Sequence, residues 1–102
     1  PAAIITANLI ATFLPREAND DPYAALEPLF ANHDLVLVEG GVAGPGTKVE
    51  VWRQERGTEP IANERGDIAA LISDDPVSTG VPVWARHDVA GIADRIRSLM
   101  GC

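Results

Sequence analysis

His33-Asp-Leu-Val-Leu-Val-Glu-Gly-Gly41 is the stretch that decides how this chain is read. Within it, Leu35-Val36-Leu37-Val38 is a continuous apolar run, not an alternating one. A run of that kind fits a strand buried on both faces, the usual state in a parallel α/β sheet. It stops at a carboxylate, Glu39, followed by Gly40 and Gly41. Ligands of open parallel sheets bind at the carboxyl ends of the strands, so Glu39 is expected where any chemistry occurs. Mg²⁺ takes one or two carboxylates or their bound waters, which makes Glu39 the candidate metal contact. The plainer alternative is an acid facing solvent at a strand end. One of the two glycines is expected in a backbone state that other residues avoid.

Downstream, Gly40–Thr47 is a glycine-rich loop, and Lys48–Arg53 then alternates. Val49 and Val51 share one face of a strand, and Glu50 and Trp52 share the other, solvent-side face. Gln54–Asn63 is polar. Ile68–Ile72 is a second apolar run, and it too ends in acids, at Ser73-Asp74-Asp75-Pro76. Asp75-Pro76 reads as a turn, which leaves Asp74 as the candidate ligand contact. A short strand is expected at Val83-Trp84-Ala85. Asp88 then caps a final helix whose apolar face is Val89, Ile92, Ala93, Ile96, Leu99 and Met100, and Gly101 ends it. Arg95 and Arg97 lie toward its carboxyl end, where cations suit the dipole.

Upstream, two short strands are expected near residues 3–7 and 9–14, broken at Asn8. Asp20 or Asp21 caps a helix with Pro22 at its first position. Tyr23, Leu26, Leu29 and Phe30 line one face of it to about Asn32, and Pro28 kinks or shortens it. The element order gives an α/β class with a mixed, largely parallel sheet of about six strands and two helices. Two helices cover one sheet face only, so the other face is expected to meet a further segment or a second subunit.

Composition narrows the function classes. The 102 residues suffice for one domain with a modest core. A 46% hydrophobic content excludes intrinsic disorder. Fifteen acids against eight Lys and Arg, net −7, argue against a nucleic-acid partner. The apolar runs fall short of the roughly 20 residues of a membrane span. One cysteine, the terminal Cys102, allows no internal disulfide, fits a cytoplasmic protein and has no evident structural role. The first residue is Pro1, read as a processed start or a cut end.

Gly41-Val-Ala-Gly-Pro-Gly-Thr-Lys48 nearly spells a phosphate-binding P-loop, but Thr47 and Lys48 are in inverted order. A P-loop also opens a helix, and Lys48 is followed by a strand pattern. His33 and His87 are read as surface or capping neighbours, without metal-ligand spacing. None of Ser73, Ser78 and Ser98 sits in a nucleophile elbow.

Four blocks in order carry a resemblance: Asp34-Leu-Val-Leu-Val-Glu-Gly40, Lys48-Val-Glu-Val-Trp-Arg53, Ile68-Ala-Ala-Leu-Ile-Ser-Asp74, and Val81-Pro-Val-Trp84 with Asp88–Ile96. Together they resemble the carboxyl-terminal part of the molybdopterin-guanine dinucleotide biosynthesis protein B family. That resemblance implies a partial P-loop NTPase-like fold of the signal-recognition-particle-like class, covering the carboxyl-terminal two-thirds of a nucleotide-binding domain over residues 1–102. It implies GTP and Mg²⁺ as cofactors. It implies a homo-oligomer and the molybdopterin guanylyltransferase as partners, and an accessory role or weak GTPase activity in molybdenum cofactor biosynthesis. It places nucleotide contacts at Glu39, Gly40, Gly41, Lys48 and Asp74, with Glu39 at the metal and Asp74 near the base. The family's amino-terminal strand and P-loop have no counterpart in these residues, and Gly41-Val-Ala-Gly44 departs from the family's Phe with Lys or His after Glu-Gly. Two alternatives follow: an interaction or dimerisation module that has lost the nucleotide, or a fragment of a dethiobiotin-synthetase-like enzyme. On either account the 102 residues alone are expected to be inactive.

Overall fold

The computed structural model describes residues 2–101; Pro1 and Cys102, and the readings attached to them, lie outside the described residues. The chain divides between Leu37 and Val38 into two compact units.

The first unit holds an antiparallel hairpin, β1 (Ala2–Ile5) and β2 (Ile10–Phe13), and a helix, α1 (Pro22–Phe30). The hairpin turn is tied by Thr6, whose Oγ1 accepts from Leu9 N at 3.0 Å. Asp21 caps α1, its Oδ1 accepting from Tyr23 N at 3.0 Å, with Pro22 at the first helical position. The helix stops at Phe30, two residues past Pro28. No described residue of this unit is buried.

The second unit carries a three-stranded parallel sheet in the order β3 (Lys48–Val51), β4 (Ile68–Ile72), β5 (Val83–Trp84), followed by α2 (Val89–Leu99). β4 lies in the middle and is buried on both faces. Ala70, Ile72 and Trp84 form one cluster, and Val49 together with Ile92 and Ile96 of α2 packs on it. The opposite face holds the fully buried Leu71 and Pro60. A short 3₁₀ turn, Ile61–Asn63, sits on that side because Glu50 anchors it: its carboxylate accepts from Ile61 N at 2.9 Å and Ala62 N at 2.8 Å. α2 starts at Asp88, whose Oδ1 accepts from Gly91 N at 3.1 Å, and ends before Gly101 at φ 74°. Arg97 sits in the last turn, and Arg95, in the preceding turn, lies 4.0 Å from the Asp88 carboxylate and 5.9 Å from the Trp84 ring centre.

Three expectations are corrected. The sheets hold five strands among the described residues, three parallel and two antiparallel, not six. Leu35–Val38 forms no strand, and Leu37 is 75% exposed. A backbone segment becomes a strand only where a neighbour accepts its ladder; Ile68–Ile72 is paired on both sides, by β3 and β5, and Leu35–Val38 on neither. The continuous-run rule therefore applies to Ile68–Ile72 and not to Leu35–Val38. Trp52 shares the side of Glu50, as alternation requires, but that side is covered: Trp52 is 9% exposed and its Nε1–H donates to Thr58 O at 2.9 Å.

Candidate functional site

All three parallel strands run the same way, so the segments leaving them gather at one edge. Trp52–Glu55 follow β3, Asp74 and Asp75 follow β4, and Arg86 follows β5. Together they line a cleft of about 490 Å³. This is the carboxyl edge, where open α/β sheets bind ligands, and the volume falls in the range of small-molecule pockets.

Hydrogen bonds across the edge hold the cleft in shape. Asp74 Oδ1 accepts from Arg86 N at 2.7 Å and from His87 N at 3.4 Å, and lies 3.0 Å from His87 Nδ1. Asp75 Oδ2 accepts from Gln54 N at 2.8 Å, and Asp75 N donates to Ser73 Oγ at 3.1 Å. One acid thus ties the end of β4 to the turn after β5, and its neighbour ties it to the turn after β3. Desolvation pushes the Asp74 carboxyl up, but the His87 ring and the Arg86 and His87 N–H groups outweigh it and hold the group below its ordinary value.

The residues expected to form one site are not gathered. Lys48 opens β3 and Asp74 follows β4, so they lie at opposite ends of the sheet. The five residues of β4 alone separate the two ends by roughly 16 Å at about 3.3 Å per residue. Lys48, only 17% exposed, is already engaged: Nζ donates to Gly46 O at 3.2 Å and lies 3.4 Å from Asp67 Oδ2. Asp67 also takes a paired contact from Arg65, at 2.9 and 2.7 Å, and that pair holds its carboxyl well below the usual carboxylate range. Glu39 is exposed and ends no strand. Gly40 and Gly41 both adopt the left-handed region, at φ 79° and 65°, as expected for one of them. Gly44 N donates to Gly41 O at 2.8 Å, which makes a tight turn of the loop, and Lys48 continues into a strand rather than a helix.

Among the described residues no three His, Cys, Asp or Glu side chains converge, and the Lys48 ammonium is paired with Asp67. Asp74 remains as the sequence-chosen residue that lines a cleft. Trp52, Arg53, Gln54, Glu55, Asp75 and Arg86 were not singled out by motif. The signal for them was positional: the carboxyl-end rule, applied to every parallel strand rather than to one, selects these residues. No helix among the described residues is long and apolar enough to cross a membrane. No family model, curated protein or solved structure matches this chain.

Proposed function

We propose that this chain is a GTP-binding accessory module of molybdenum cofactor biosynthesis, acting beside the molybdopterin guanylyltransferase, and that its cleft meets the guanine end of the nucleotide. Asp74 carries the reading: it lies two residues past the central strand and lines the one-edge cleft that three parallel strands form. Among the described residues only its Oδ1 is engaged, which leaves Oδ2 to accept from a ligand. A carboxylate suits guanine, whose N1–H and exocyclic amine are donors on one edge, whereas adenine presents an acceptor at N1. The ordered blocks of sequence that resemble the protein B family are the second support.

A second reading, an interaction module without nucleotide, is favoured by Lys48. Its ammonium is paired with Asp67 at the edge away from the cleft, so it is not available to phosphates there. Calorimetric titration with GTP, GDP and ATP in the presence of Mg²⁺ separates the two. Under the first reading GTP and GDP bind weakly and equally, ATP does not bind, and Asp74→Asn abolishes binding while Lys48→Ala leaves it unchanged. Equal binding of GTP and ATP removes the guanine reading; binding of no nucleotide removes it and leaves the interaction module. Micromolar GTP binding lost in Lys48→Ala would instead restore the Gly41–Lys48 loop as a phosphate site.

A further inference from the structure

The cleft is lined by five charged side chains, and their commitments differ. Arg53 Nη1 meets Glu55 Oε1 at 3.3 Å, so these two offset each other. Asp74 accepts from Arg86 N and His87, and Asp75 from Gln54 N, so each acid has one oxygen satisfied by the protein. Among the described residues the Arg86 guanidinium has no carboxylate partner and no hydrogen bond, although the chain carries net −7. Its backbone, by contrast, is pinned: Arg86 N donates to Asp74 at 2.7 Å, and the next residue is held to the same oxygen. A cationic fork is thus presented on a fixed backbone at the carboxyl edge, facing a cleft whose acids keep free lone pairs.

We propose that Arg86 is the anion-binding residue of this cleft, and that the ligand is a small organic anion bearing hydrogen-bond donors at its other end. Guanidinium groups bind phosphates and carboxylates in paired fashion, with charge-assisted bonds stronger than neutral ones. The remaining oxygens of Asp74 and Asp75 accept only, so a bare anion meets repulsion there and a ligand with hydroxyls or amines does not. Asp74 acts as a positioning residue, since it holds the Arg86 main chain. This inference uses the cleft alone and does not depend on guanine recognition.

The test is amide and arginine side-chain NMR on the full chain, titrated with four probes: ribose 5-phosphate, gluconate, inorganic phosphate and ribose. Ribose 5-phosphate or gluconate, or both, should shift the signals of Arg53–Gln54, Asp74–Asp75 and Arg86 saturably, at lower concentration than inorganic phosphate or ribose. Which of the two binds tells whether the anion is phosphate or carboxylate. Arg86→Gln should weaken that binding about tenfold or more, as expected for one charge-assisted contact, and Arg86→Lys should restore part of it. Arg86 is exposed, so these variants should keep the wild-type spectrum elsewhere. Absence of saturable shifts with both organic anions, shifts undiminished in Arg86→Gln, or equal shifts at Arg16, Arg56 and Arg97 would overturn the proposal. A failure of GTP to bind leaves the result with ribose 5-phosphate standing.

Discussion

His87 Nδ1 lies 3.0 Å from Asp74 Oδ1, joining the turn that leads into α2 to the end of the central strand. The same oxygen accepts from Arg86 N, so one carboxylate closes the carboxyl edge of the sheet.

Because Asp74 has a lowered pKa in the folded state, its contribution is present above its unfolded value near 3.8 and is lost as pH falls through the lower folded value. Asp67 acts in the same direction through Arg65. Urea unfolding from pH 7 down to pH 3 should show stability falling below about pH 4. Asp74→Asn, which retains an acceptor oxygen but carries no charge, should flatten that fall. Asp74→Ala should lower the urea midpoint already at pH 7. A fall as steep in Asp74→Asn as in the parent chain would show that Asp74 does not carry it.

Trp52→Ala should cost about 3–5 kcal/mol, as for a buried tryptophan. Leu37→Ala should change stability by no more than about 0.5 kcal/mol, as for an exposed position. This order reverses the one expected when Leu35–Val38 is taken as the core strand. Guanidinium unfolding of the two variants checks it, and a larger loss for Leu37→Ala would return that segment to the core.

At Gly91 a Cβ would collide with the Asp88 carboxylate that caps α2. Alanine there gains about 1 kcal/mol of helix propensity, and displacing the cap costs about the same. Gly91→Ala alone should therefore be close to neutral. In an Asp88→Ala background the same change should stabilise by about 1 kcal/mol, a coupling readable in a double-mutant cycle by thermal unfolding.

The chain should self-associate. Ile4, Ile5, Leu9, Ile10, Phe13 and Leu14 are all exposed on the hairpin unit, which has no buried residue of its own among those described. A lone two-stranded hairpin is marginal in water, and large exposed apolar patches are rare on monomers. Light scattering at tens of micromolar should give more than the monomer mass. Ile5→Lys with Ile10→Lys should return the chain toward 10.8 kDa. A monomer in the parent chain removes this expectation.

The sequence by itself determined the elements whose causes are local. Asp21 with Pro22 and Asp88 with Gly101 mark helix ends through groups within a few residues of one another, and the hairpin needs only Thr6, Asn8 and the strands beside them. Ile68–Ile72 was legible as a strand for the same reason that Leu35–Val38 was misleading: both are continuous apolar runs. Only tertiary structure separates them, because a strand exists through the neighbours that pair with it, and β3 and β5 flank the first run and not the second. The side of Trp52 was legible from alternation, but whether that side meets water was not. It depends on the segment around Pro60, which Glu50 draws over the sheet by two hydrogen bonds across 11 and 12 residues. The candidate site is non-local in the same sense. Trp52, Asp74 and Arg86 are far apart in the chain and become neighbours because three strands run parallel and end together, an arrangement that no single stretch encodes.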